Sequence, residues 1–186
     1  MEKINAHEFM VCMGKEFRKE KFAQKKRSAV LGQGIGKSAR YLTQFEIGFN
    51  DKISIYRLKL LANQLNIPLY IFIKRAFNSY NNTFNEIEDD ENIDTSIKIN
   101  EEDVEQFIYN IGHVLKDIRE ESDATQTAFA KKLKITRQMY HGYENMRRIQ
   151  ISLYKLIEIT NILDVTVQEV IYCAEKRLYE DLKSKK

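Results

Sequence analysis

Tryptophan is absent from the 186 residues, proline occurs once (Pro68) and glycine seven times. A chain this poor in helix breakers, and rich in Leu, Ile, Lys and Glu, leans towards an all-α fold. Long apolar runs are lacking too. None approaches the ~18 residues that a membrane span needs. Met1 to Met13 has neither an apolar core nor a small-residue cleavage site, so no signal peptide is expected. Cys12 and Cys173 lie far apart without CxxC spacing, and His7, His113 and His141 make no ligand pattern with them. No metal or cofactor is therefore expected, and the two thiols read as small buried hydrophobes in a reducing cytoplasm.

What is present is enough apolar material for cores, 43 % of residues, so global disorder is excluded. The net charge of +3 hides its distribution. Residues 1–80 hold 15 Lys/Arg against 6 Asp/Glu, residues 81–105 hold 1 against 10, and residues 106–186 hold 14 against 11. Two basic blocks thus flank an acidic connector, and basic blocks favour polyanionic partners. The connector, Asn81–Glu105, is thin in large apolar residues and reads as a linker, with Ile97 and Ile99 able to form a brief extended segment.

The second block repeats the first. A constant shift of 98 residues aligns Phe9–Ala76 with Phe107–Ala174 without gaps, and 11 of the 68 positions are identical. Among them are Phe9/Phe107, Gly14/Gly112, Glu46/Glu144, Ser54/Ser152, Leu58/Leu156 and Leu65/Leu163. A period this long predicts a duplicated domain rather than a solenoid.

Each copy predicts five short helices. In the second, Ile111, Leu115 and Ile118 recur at helical spacing, and Ser122-Asp123 ends that helix. Thr125 caps a short helix holding Phe129, Ala130 and Leu133, and Thr136 caps the next, 137–144. Ser152 and Thr166 open the fourth and fifth. The first copy repeats the plan at about 9–22, 28–35, 38–46, 54–65 and 68–79. Within 137–144, Tyr140 and Tyr143 face inward and Arg137, Gln138 and His141 face out. A helix packed on one side and polar on the other is how a protein presents a reading surface to the DNA major groove.

At Gln126-x-x-Phe-Ala-x-x-Leu-x-Ile-Thr-x-x-x-Tyr-x-x-Tyr-Glu144 the sequence resembles the lambda-repressor-like (Cro/CI-type, XRE) helix-turn-helix family. The resemblance covers about 106–174 well. It extends less closely over about 9–76, through Leu31-Gly-x-x-Ile-Gly-Lys-Ser-x-x-x-Leu-x-x-Phe-Glu-x-Gly48. The second copy departs by carrying Met146 where a glycine is usual. The first departs by Ser28 in place of Gln and by glycines at 32, 34 and 36. The resemblance implies two five-helix domains, 1–80 and 106–186 (the second with a C-terminal helical tail), joined by linker 81–105.

It further implies a cytoplasmic, sequence-specific transcriptional regulator, in the sense of a repressor, of bacterial, phage or plasmid origin. Its partner is double-stranded DNA, and it is not an enzyme. Gln126, and Ser28 in the first copy, would hold a phosphate. Arg137, Gln138 and His141, and Arg40, Thr43 and Gln44, would face bases, with Thr136, Lys37 and Ser38 at the helix entries. Asn145, Arg147 and Arg148 would grip the backbone. Glu144 is expected to pair with Arg119, and Glu46 with Lys21, pinning first helix to third.

Gly32-Gln-Gly-Ile-Gly-Lys-Ser38 mimics a phosphate-binding loop. The glycine stands one residue late, at 32 where the pattern needs 31, and no strand precedes it. His141 stands alone, with no nucleophile and base around it. Relatives use homodimers on half-sites about 34 Å apart, and homodimerisation is one expectation here. The other is that the ~25-residue linker, taken as flexible with a reach of roughly 28 Å, lets one chain straddle an asymmetric site. The rival reading from a different class is a protein-interaction module, with the divergent first domain binding a protein partner.

Overall fold

The computed structural model describes residues 3–50, 52–83, 93–94, 96–146 and 151–185. Among these, the regular elements are ten helices: α1 (Ala6–Ala23), α2 (Ser28–Gln33), α3 (Ala39–Glu46), α4 (Ile55–Gln64), α5 (Leu69–Tyr80), α6 (Glu101–Glu121), α7 (Gln126–Lys132), α8 (Arg137–Asn145), α9 (Leu153–Leu163) and α10 (Val167–Ser184). The described chain is all-helical, in line with its composition.

Short polar side chains start these helices by accepting backbone N–H groups that the first turn leaves unpaired. Asn5 opens α1, Ser38 α3, Ser54 α4, Thr125 α7, Thr136 α8, Ser152 α9 and Thr166 α10, the last with Glu169 in a capping box. Asn5 starts α1 three residues before the expected 9. The connector is shorter than expected for a related reason. Asn100 and Asp103 form a capping box, so Glu101–Glu105 belong to α6. The acidic residues Glu101, Glu102 and Asp103 sit where a helix carries positive partial charge, so they stabilise its start rather than solvating a linker. Ile97 lies in a turn closed by its N–H on Asp94 O at 3.2 Å, and no strand forms at 97–99.

Helix ends take the left-handed conformation, and the two sets of five helices do so at matching places. Gly36 (φ 65°) corresponds to Lys134 (φ 54°), and Gly48 (φ 75°) to Met146 (φ 41°). Glycine adopts this conformation freely, whereas a side chain there costs about 1–2 kcal/mol. At these two places the C-terminal set bears that cost and the N-terminal set does not.

Packing is also matched. In the first set α1 lies against α5 and α3, and α2 against α3; in the second α6 lies against α10 and α8, and α7 against α8. Gly14 and Gly112, identical in the 98-residue register, mark where α1 meets α3 and α6 meets α8. A Cβ on Gly14 would collide with Phe45 O, and one on Gly112 with Glu144 O.

The two sets meet along a seam that is itself symmetric. Ser54 and Ser152 form an isolated antiparallel bridge, in which Ile55 N–H donates to Ile151 O at 3.0 Å and Leu153 N–H to Ile53 O at 3.2 Å. Each of these residues is 98 from its counterpart. α5 packs on α10, while α4 on α6 and α9 on α1 are matching cross-contacts. The side chains of Ile53, Ile55, Ile151 and Leu153 are buried, and one hydrophobic core runs through both sets. Ile93 and Ile97, at the described end of the connector, are buried as well. Docked halves replace the flexible tether expected from sequence, because these apolar faces are more stable against each other than in water.

Symmetry breaks on the seam at a charge pair. Lys59 Nζ, fully buried, meets Glu175 Oε1 at 2.5 Å and lies over the rings of Phe107 and Tyr179. Glu175 also accepts the N–H of Leu69 (2.9 Å) and of Tyr70 (2.7 Å), capping α5, whose own N-cap, Pro68, has no side-chain acceptor. The positions related by 98 residues are Ile157 and Phe77, so the counterpart pair is apolar.

Candidate nucleic-acid interface

The candidate surface is built from α7, a tight turn and α8. Phe129 and Leu133 anchor α7 in the core, and the Phe129 ring stacks on Tyr140 of α8 with centroids 5.9 Å apart and planes at 13°. Ala130 is buried where the turn folds back, and Ile135 N–H donates to Ala130 O at 3.0 Å. In the first set Gly32 occupies this place. A Cβ there would lie 2.7 Å from Lys37 O, so the α2–α3 turn closes more tightly and requires the glycine.

α8 is then sorted by face. Tyr140, Tyr143 and Glu144 are buried, while Arg137, Gln138, Met139, His141 and Asn145 are exposed. The buried carboxylate fixes α8 to the body. Glu144 accepts from Arg119 Nε at 2.5 Å and from Arg119 Nη2 at 3.2 Å, and this bond raises the pKa of Arg119 further above its ordinary value. The matching pair in the first set, Lys21 Nζ to Glu46 Oε1 at 2.5 Å, does the same fixing for α3. Both expected pairs form. Burial, reinforced by the charge of Glu144, pushes the Tyr140 hydroxyl pKa upward, so this ring remains neutral.

Gln126 and Ser28 share a second task. Gln126 Nε2 donates to Glu144 Oε2 at 2.7 Å, and Ser28 Oγ accepts from Lys21 Nζ at 2.8 Å. Each residue therefore braces the charge pair at the start of its helix. Gln126 Nε2 also lies 3.3 Å from His141 Nδ1, and Asn145 Nδ2 donates to His141 O at 2.8 Å. Gln126, His141 and Asn145 thus form one polar ridge from the start of α7 to the end of α8, with Arg137 and Gln138 exposed at the opposite end of α8. Thr136 Oγ1 accepts from Met139 N at 3.1 Å and is occupied as the cap. Arg147 and Arg148 lie outside the described residues.

In the first set Arg40 and Thr43 are exposed on α3 and Gln44 is half-buried. Thr43 Oγ1 donates to Ala39 O at 3.1 Å, Ser38 caps α3, and Lys37 Nζ lies 5.4 Å from the centre of the Tyr41 ring. Exposed apolar side chains stand here that periodicity alone does not reveal. Ile47 and Phe49 are 60 % and 77 % exposed, and Val30 on α2 is 58 % exposed. The counterparts of Ile47 and Phe49 are Asn145 and Arg147. The 98-residue register carries the signal: Ile47 and Phe49 are apolar where Asn145 and Arg147 are polar.

A helix anchored by a buried carboxylate, preceded by a tight turn and polar on its outer face, defines a helix-turn-helix. The family model described as helix-turn-helix matches residues 115–170, from Leu115 in α6 to Val170 in α10, and so contains the whole of α7, α8 and α9. The match spans 56 of the 186 residues and lies wholly within the second set of helices. No curated protein and no solved structure gives a significant match to the chain. Among the described residues, no helix is long and apolar enough to cross a membrane.

Proposed function

We propose that the chain is a sequence-specific, double-stranded DNA-binding regulator, a non-enzymatic repressor acting in the cytoplasm, with two helix-turn-helix domains at 1–80 and 106–186. The observation that carries this reading is the outer face of α8. Arg137, Gln138 and His141 stand exposed on a helix whose other face is locked by Tyr140, Tyr143 and the Glu144–Arg119 pair. Arg and Gln make paired hydrogen bonds to purine edges in the major groove, and a pre-fixed helix delivers them without ordering cost. The exposed basic residues Lys131, Lys132 and Lys134 supply the non-specific attraction that phosphates require.

Selection of bound duplexes from a random pool tests this, with wild type beside the Arg137→Ala/Gln138→Ala double variant. An enriched motif that the variant loses supports reading by α8. No enrichment at moderate salt removes the proposal.

A second reading, in which residues 1–80 dock a protein partner, is favoured by the exposed Val30, Ile47 and Phe49. Exposed apolar side chains suit protein contacts better than phosphates. Retention of a partner by wild type and its loss on Ile47→Ser/Phe49→Ser would select it.

A further inference from the structure

The seam gives each half a built-in partner, and its backbone bridge and helix contacts are matched across a two-fold relation. Ile53, Ser54 and Ile55 face Ile151, Ser152 and Leu153 in an antiparallel bridge with both reciprocal hydrogen bonds made. The packing of α4 on α6 answers that of α9 on α1, and α5 lies on α10. At the far end of the seam Asn161 brackets Ile4, accepting its N–H at 3.1 Å and donating to its carbonyl at 2.9 Å. This is the layout of a homodimer interface, formed inside one chain.

Two features make the pairing exclusive. α5 is covered by α10, α4 by α6 and α9 by α1, so these faces are not free for a second copy. Charge also distinguishes the halves. Lys59 and Glu175 satisfy one another only when unlike halves meet. Two C-terminal halves would set Glu175 against Ile157, and two N-terminal halves would set Lys59 against Phe77. Either arrangement buries a charge without its counter-ion, which is strongly unfavourable. A polar pair at an otherwise apolar seam can specify partner and register in this way.

We infer that the chain engages DNA as a single molecule, a pre-assembled unlike pair docking on a bipartite site whose two half-sites differ in sequence and stand at one fixed spacing. This rests on the DNA-binding reading above. The outward residues of α3 (Arg40, Thr43) and of α8 (Arg137, Gln138, His141) differ, so the half-sites are unlike. The spacing is fixed because the halves are joined by core rather than by a tether. A flexible link would tolerate inserted base pairs, whereas a rigid one loses simultaneous engagement altogether.

Three measurements on the wild-type chain test the inference. Sedimentation equilibrium of the free protein is expected to give the single-chain mass of 22.0 kDa across concentrations. Titration onto the selected duplex is expected to saturate at one chain per site. Insertion of one to five base pairs between the half-sites is expected to drop affinity to that of a single half-site. A doubled mass, two chains on a palindrome, a motif confined to one half-site, or affinity indifferent to the insertions would each overturn the inference while leaving the regulator reading intact. A chain that binds no duplex removes both, and the sedimentation result then still reports whether the halves pair internally.

Discussion

Gly112→Ala is a substitution whose sign discriminates. In an isolated helix, replacing an interior glycine by alanine stabilises by about 1 kcal/mol. At Gly112 the new methyl would collide with Glu144 O, lie 2.9 Å from the Glu144 carbonyl carbon and stand 2.8 Å from Met146 Cγ. Two of those three atoms are backbone of α8, so relief requires α8 to move off α6. Overpacking of this kind costs about 1–3 kcal/mol, and a backbone obstacle places it at the upper end. After the propensity gain, the net loss is about 2 kcal/mol. For a chain of this size that lowers Tm by roughly 4–8 °C, read by calorimetry or circular dichroism. Because α8 carries Arg137, Gln138 and His141, DNA affinity at a fixed temperature well below Tm should fall as well. A Tm that rises by a few degrees would refute the close approach of α6 and α8 and, with it, the explanation of why Gly14 and Gly112 are both glycine.

Lys134→Gly should raise Tm, since Lys134 is exposed in a left-handed conformation (φ 54°). Gly36→Ala should lower it by about 1 kcal/mol of strain alone, because nothing lies within 4 Å of its Cβ position; equal responses of the two sites would sink the strain argument. Lys59→Met is expected to cost about 3–5 kcal/mol in urea unfolding, and Lys59→Met/Glu175→Gln markedly less, because the single change strands a buried carboxylate. Salt dependence of DNA affinity should be log-linear with slope near −0.9 per phosphate contacted; a flat response would argue for a protein partner instead. Burial raises the pKa of Cys12 and Cys173, so alkylation near neutral pH should be slow until the chain unfolds, and rapid labelling of the native protein would contradict their placement.

The local grammar of the chain is readable residue by residue. Thr125, Thr136, Ser152 and Thr166 each cap the helix that sequence assigns to them, because capping depends on a side chain and the next few N–H groups. The Glu144–Arg119 and Glu46–Lys21 pairs are legible too, since both link positions 25 apart in a repeated pattern. Non-local features are not. Nothing in Ile53-Ser-Ile55 distinguishes a helix entry from an inter-half bridge, for the partner lies 98 residues away. Lys59 and Glu175, separated by 116 positions, look like two ordinary surface charges on amphipathic helices. The acidic stretch misleads at its C-terminal end, where Glu101–Asp103 serve a helix start. At the candidate interface the outward placement of Arg137, Gln138 and His141 comes from periodicity. The exposure of Ile47 and Phe49 does not, because an apolar residue after a helix reads as core.

The shared core also bears on how this molecule can be dissected. Cutting the chain between its halves would uncover Ile53, Ile55 and Lys59 on one fragment, and Ile151, Leu153 and Glu175 on the other. Each fragment would then present a broad sticky face, one of them with a stranded carboxylate. A truncation series that finds both fragments insoluble or inactive would thus say little about which half holds the proposed DNA-reading surface. Point substitutions on α3 and α8 within the intact chain are the sound way to divide the labour between them.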